Sequence, residues 1–366
     1  MKPNNLVKKP FLLVIALVFI VAAIFYIESQ KPNVNIPNQN NTETKYPRAP
    51  DFAGIDKWIN SEPLKIEQLR GKVVLVDFWT YTCINCIRTL PYLKDWDKKY
   101  RDKGLVIVGM HTPEFEFEKK YENVLKAVND YKLKYPVAQD NNYVTWSLYQ
   151  NRYWPHKYLV DMDGYIRYDH IGEGAYEETE KMIQSLLQER MERLNQKNGI
   201  GLNMTKPSDT INVVPQNIGT PEIYFGYQFD RGNLGYQGLK PDAIADFKFN
   251  PSPIRNFVYL DGRWRYNADN MELVGDDGSV FLIYRAKDVN IVAGSDSNST
   301  AVIFFDNDFL NGKNKGLDIT VQNNKSISNV NEFKLYNLVS GEDYGEHIIQ
   351  IDALGRGFKI YTFTFG

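Results

Sequence analysis

The 366-residue chain is 43% hydrophobic and 24% charged, an ordinary globular composition with enough length for two or three domains. Its 43 Lys and Arg nearly balance 45 Asp and Glu, for a net charge of −2, so it lacks the basic footprint of a nucleic-acid binder. The 2 cysteines are too few for a disulfide framework, so packing must hold the folded parts together.

The chain opens with Lys2, Lys8 and Lys9 and continues into an uninterrupted apolar run from Phe11 to Ile27. That run is just long enough for a helical span. The lysines predict a cytoplasmic N-terminus over residues 1–9, a transmembrane signal anchor over 10–27, and translocation of everything beyond. A cleaved signal peptide, with Val21 and Ala23 at the cleavage site, is the competing reading. The apolar run continues through Ile24 to Ile27, where a polar cleavage region would be needed, and this favours the anchor. Residues 28–48 are rich in Asn, Pro and Thr and too poor in apolar side chains to fold, which predicts a disordered tether.

The first folded unit is expected over residues 49–196. Val73 to Phe78 is a continuous Val/Leu run that suits a central strand buried on both faces. A helix is predicted from Cys83 to Tyr100, a second buried strand over Leu105 to Met110, and an amphipathic helix over Glu116 to Tyr131. A short extended piece at Pro136 to Ala138 and a short helix at Tyr143 to Tyr149 follow. Lys157 to Val160 and Tyr165 to His170 read as a hairpin, and Tyr176 to Gln196 as a last helix. Strands alternating with helices give an α/β three-layer unit. Residues 197–218 read as a linker. Residues 219–366 carry short apolar runs separated by Gly, Asn, Asp and Ser, which predicts an all-β sandwich or jelly-roll-like domain.

Both cysteines lie in Cys83-Ile84-Asn85-Cys86, where the first strand runs into the first helix. There the first sulfur meets free backbone N–H groups and the positive end of the helix dipole, a setting that favours thiolate over thiol. Cys83 is the expected nucleophile of thiol–disulfide exchange and Cys86 the resolving thiol. A zinc half-site lacks partners, because no second Cys pair exists and the 4 histidines have no ligand spacing, so no metal is expected. A bridge across one helical turn would constrain the unfolded chain very little. Asp77 faces inward by strand alternation, under the cysteine pair, where desolvation would suit it to proton transfer; the alternative is a buried polar residue paired to backbone. Trp154-Pro155 either opens a strand or holds a cis peptide against an extended substrate, and the residues alone leave both readings open.

The stretches DFWTYTCINCIRTLPYLKDW, HTPEFEFE and NRYWPHKYLVD resemble the thioredoxin superfamily, and within it the extracytoplasmic TlpA/ResA-type thioredoxins and the C-terminal part of DipZ-type proteins. The resemblance covers about Pro50 to Leu187, and extends through GTPEIYFGY, LDGRW and YTFTFG into a β domain like a carbohydrate-binding module. It implies a thioredoxin fold without cofactor, Cys83 and Cys86 as the redox-active pair, Asp77 as buried acid, Pro155 as cis-proline, and Trp79 and Trp154 beside the substrate. Envelope proteins bearing thiols or disulfides become the expected partners. Since a single span is predicted, electrons would come from a separate, CcdA-like membrane donor. Two departures are Thr89, where many relatives have Glu, and the absence of proline between the cysteines.

Two other classes compete. A peroxiredoxin-like (AhpC/TSA-type) thiol peroxidase would share the fold, but Val76 stands where its motif needs proline and C-x-x-C is not its layout. Alternatively the β domain is the working part and binds a glycan or an envelope partner, with Trp264, Tyr266 and Tyr284 as platform aromatics; aromatics alternating along strands are more often core.

Overall fold

β2 (Val73–Trp79) follows β1 (Lys57–Ile59) and is buried at every position. The computed structural model describes residues 45–196, 199–211, 213–234, 238–249 and 252–366. β3 (Leu105–His111), β4 (Val137–Gln139), β5 (His156–Val160) and β6 (Ile166–Ile171) complete a six-stranded sheet of order β1-β4-β3-β2-β5-β6. β2, β3 and β4 run parallel, whereas β1, β5 and β6 pair antiparallel. This is the mixed sheet of a thioredoxin fold.

Alternation along β2 divides its side chains between two cores. Val73, Leu75 and Trp79 pack with Leu90, Leu93 and Trp96 of α1 (Ile84–Tyr100), Val124 and Val128 of α2 (Tyr121–Asp130), and Ile183 and Leu187 in the last helix. Val74, Val76 and Phe78 pack on the other side with Phe52, Ile66 and Tyr149, near α3 (Val144–Leu148). The last helix, α4, runs Tyr176–Arg193. A short 3-10 turn after α1 ends on Gly104 at φ 105°, a left-handed position that favours glycine and starts β3. The amphipathic stretch expected from Glu116 divides into a 3-10 turn, Glu116–Lys119, and α2.

The C-terminal part is a large all-β sheet domain. Its strands are β7 (Ile223–Tyr224), β8 (Ile244–Phe247), β9 (Val258–Tyr266), β10 (Met271–Ser295), β11 (Ser299–Phe305), β12 (Asp308–Phe309), β13 (Thr320–Gln322), β14 (Lys325–Val330), β15 (Lys334–Leu354) and β16 (Phe358–Phe365). They form one ten-stranded hydrogen-bonded network. Ile360 pairs with Met271 at one end of β10 and with Ala293 near the other, so the sheet curls back on itself. Trp264, Tyr266 and Tyr284 are buried in its core, the commoner place for aromatics that alternate along strands, and none has a face to offer a sugar.

Residues 46–366 make one compact unit, and the two sheets share packing. Tyr224, Val292 and Tyr361 belong to the same buried cluster as Trp79, Leu90 and Phe117. Phe117 meets Tyr361 at 4.7 Å and Phe333 at 5.2 Å between ring centroids, and Phe115 meets Tyr361 at 5.0 Å. The stretch read as a linker is pinned to the first unit, with Ile200 buried and Thr205 donating to Glu180. The predicted anchor over 10–27 and most of the tether lie outside the described residues. Among the described residues no helix is long and apolar enough to cross a membrane.

Because Phe117 fills the junction between the two sheets, Phe117→Ala should cost about 3–5 kcal/mol in chemical denaturation. A loss under about 1 kcal/mol would show that the two parts are not energetically joined.

Candidate active site

The cysteines sit where β2 ends, at the carboxyl edge of the parallel strands, the usual ligand side of such sheets. Cys83 is the N-cap of α1, in extended conformation, and its Sγ accepts from the Cys86 N–H at 3.2 Å. The sulfur thus replaces a hydroxyl or carboxylate in satisfying one of the first free N–H groups of the helix. Cys83 is half-buried and Cys86 buried, and both are free thiols. Burial pushes the Cys86 thiol well up, reinforced by the hydrogen bond and charge of Cys83.

Asp77 shares the face of β2 that carries Leu75 and Trp79, and that face is covered by Cys86 and α1. It is buried, and Oδ1 has no hydrogen-bond partner among the described residues. Desolvation raises its carboxyl to about 7, partly opposed by the positive charge of Lys157. Lys157, overlooked in the sequence reading, stands directly opposite Asp77 in the β2–β5 ladder, so the two side chains share a face. It is fully buried and held below the usual lysine range by desolvation, with Asp77, Cys86, Glu173 and Cys83 pulling the other way. Its Nζ donates to the Gly172 carbonyl at 3.1 Å. A lysine inside a buried apolar strand was the available signal.

The loop from Thr80 to Thr82 is fixed from below. Thr82 Oγ1 donates to Glu118 Oε1 at 2.5 Å, while Glu118 Oε2 accepts from the N–H groups of Glu114 and Phe115. Glu118 is buried, and desolvation holds its carboxyl above the usual range against these donors. Tyr81 stacks on His111 at 5.7 Å, and burial lowers the His111 imidazole to about 3, so it is neutral. Neither Glu118 nor His111 was singled out from sequence. The stretch from Glu116 reads as an amphipathic helix, and the tertiary fold turns Glu118 inward.

The Trp154–Pro155 peptide is cis. Pro155 lies one residue beyond the last β2–β5 register pair, Phe78 with His156, and so beside the end of β2 from which the cysteine loop departs. Trp154 is half-buried, and its Nε1 donates to the Thr112 carbonyl at 3.0 Å. Trp79 departs from its expected place beside substrate. It is wholly buried edge-on to His111, so its role is packing beneath the loop. Thr89, the position where relatives carry Glu, is buried and donates to Asn85 within the helix.

A carboxyl that binds its proton more tightly folded than unfolded contributes most below its unfolded pKa and loses that contribution as pH rises to its folded value. The wild type should therefore lose roughly 2 kcal/mol between pH 5 and 8 that Asp77→Asn does not lose, measured as the difference in denaturation free energy. Parallel pH profiles for the two proteins would contradict the raised Asp77.

Residues 47–169 match the AhpC/TSA family, and residues 220–366 match a family described as thioredoxin-like C-terminal domain. The chain is 36% identical over 321 residues to protein DipZ of Mycobacterium bovis, covering 87% of this chain and 43% of DipZ. It therefore spans less than half the length of that relative. Against the thiol-disulfide oxidoreductase ResA of Bacillus cereus it is 30% identical over 138 residues, covering 38% of this chain and 76% of ResA. A solved thiol-disulfide isomerase from Corynebacterium glutamicum aligns at 26% identity over 38% of this chain and 96% of its own, with a TM-score of 0.36. With three quarters of ResA matched on top of a thioredoxin fold, the chain belongs to the ResA-like thiol–disulfide oxidoreductases of the thioredoxin superfamily.

Proposed function

We propose that this protein is a membrane-anchored, extracytoplasmic thiol–disulfide reductase acting on envelope proteins through Cys83 and Cys86. The observation that carries the reading is the pairing of a half-exposed sulfur at a helix N-cap with a buried thiol one turn on, above a buried carboxyl whose Oδ1 has no hydrogen-bond partner among the described residues. Cys83, as thiolate, attacks one sulfur of a substrate disulfide. A bond forms between Cys83 and that sulfur, and the other substrate sulfur leaves and takes a proton. Asp77, as carboxylate, removes the proton from Cys86, whose burial otherwise keeps it on the thiol. Cys86 then attacks Cys83, closing the Cys83–Cys86 disulfide, and the second substrate sulfur leaves and takes the proton held on Asp77. The substrate gains two electrons and one proton from the protein and its other proton from solvent, the one that Cys83 released on ionising. A separate, CcdA-like membrane dithiol donor would restore the reduced pair.

The anchor over 10–27 and the lysines before it support an extracytoplasmic site, with residues 28–48 as tether. Pro155 and the Trp154 backbone are proposed to pair with the extended substrate chain, as in strand addition. The match to the AhpC/TSA family supports a second reading, a thiol peroxidase in which a peroxide oxygen is transferred to Cys83.

Cys83→Ser should abolish disulfide reduction, and Cys86→Ser should accumulate a mixed disulfide between Cys83 and substrate. With Cys86 present, resolution of the mixed disulfide in single turnover should speed up as pH rises through about 7, where Asp77 ionises. Asp77→Asn should slow it by about a hundredfold and flatten the profile. Peroxide consumption by Cys86→Ser faster than wild-type disulfide reduction would favour the peroxidase instead.

A further inference from the structure

Between α1 and the face of the C-terminal sheet lies a cleft of ≈ 680 Å³, within the size range of built binding sites. One wall carries Tyr81 and Ile84, the residues on either side of Thr82-Cys83. The opposite wall comes from the C-terminal sheet, through Phe333, Leu335 and Asn337. The walls are joined at one end, where the Tyr81 hydroxyl donates to the Phe333 carbonyl at 3.3 Å. Cys83 is not itself part of the lining, but Ile84, which follows it directly, is, so the nucleophilic sulfur and the cleft are neighbours along the chain.

The chemistry of the lining selects among occupants. Its basic side chains are already matched: Lys126 with Asp130 at 2.7 Å and Glu332 at 3.2 Å, Lys334 with Asp318 at 2.6 Å, and Arg88 with Glu173 at 3.2 Å. A ligand bearing several carboxylates, such as glutathione disulfide, would find no unmatched cation there among the described residues. Beside these matched charges and the carboxyl of Asp288, the cleft presents apolar and amide surface. Leu317, on the rim, is 90% exposed and Ile211 is 50% exposed, although both line the cleft. Apolar side chains left open beside a polar amide wall suit an extended polypeptide, whose side chains alternate and whose backbone carries both donors and acceptors.

We propose that this cleft is a substrate subsite, built jointly by the thioredoxin fold and the C-terminal sheet, for an extended and uncharged polypeptide segment flanking the disulfide that Cys83 attacks. This rests on the thiol–disulfide reading given above and adds the substrate class. In it the C-terminal sheet supplies the second wall of the substrate site, with Leu317 and Ile211 covered by apolar side chains of the bound segment.

The test compares the full chain with Leu317→Asp and Ile211→Asp, both at exposed positions where the fold tolerates change. Reduction is measured for an uncharged ten-residue peptide disulfide with leucine near its cysteine, and for glutathione disulfide. The preference for the peptide, as a ratio of kcat/KM values, should fall about tenfold in each variant. In a second measurement the peptide is trapped on Cys86→Ser through Cys83, and amide exchange should slow over residues 331–337. An unchanged preference, or slowed exchange confined to the neighbourhood of Trp154 and Pro155, would overturn the subsite. So would protection of residues 331–337 by a free oligosaccharide rather than by the peptide. Turnover that survives Cys83→Ser would overturn the exchange reading itself, a separate outcome.

Discussion

The carboxyl of Glu118 has one oxygen on Thr82, the residue before the nucleophilic cysteine, and the other on the backbone of Glu114 and Phe115. A fully buried acid left without donors would be costly, so these three bonds specify one geometry for the loop and the turn together. The same turn carries Phe115 and Phe117 into the aromatic junction with Phe333 and Tyr361. One short segment, Glu114 to Glu118, therefore bears on both the cysteine loop and the docking of the C-terminal sheet.

Beneath the loop, the electrostatics are those of a site that must hand over a proton. Asp77 and Lys157 face each other across the ladder without a hydrogen bond between them, each shifted toward its neutral form by burial. Neither charge is fully compensated, so a change in the charge of Cys86 above is felt by both. Such sensitivity costs stability and is the kind of arrangement that accompanies proton transfer. The Cys83 sulfur, by contrast, is held by the helix N-terminus at the surface, where a substrate can reach it.

What was legible in the sequence was local. The Val/Leu run of β2, the cysteines at its junction with α1, and the α/β alternation all follow from contacts within about thirty residues of chain. The C-terminal strands were seen in pieces: Val280 to Tyr284 and Val289 to Val292 belong to one strand, β10, and Glu332 to Leu338 and His347 to Ile351 to another, β15. Polar stretches such as Asp276-Asp277-Gly278 and Gly341-Glu342-Asp343 have the composition of turns. They fall at register shifts, between Leu273 and Gly278 on the β9 side of β10 and between Ser340 and Gly345 of β15, so each strand runs through the irregularity and resumes pairing beyond it. Lys157 and Glu118 escaped notice because charged residues read as exposed, and only ladder register and the aromatic junction bury them. Trp79 was placed beside substrate by its neighbourhood in the motif, whereas strand alternation sends its ring into the core.

The reducing direction is part of the proposed function, and the potential of the cysteine couple reads it. Strongly oxidising exchangers owe their potential to a stabilised reduced form. Equilibration of the Cys83–Cys86 couple against a glutathione or dithiothreitol buffer tests this most directly. The proposed reductase should show a potential near that of thioredoxin, about −270 mV, and a value near −120 mV would contradict it by marking an oxidase.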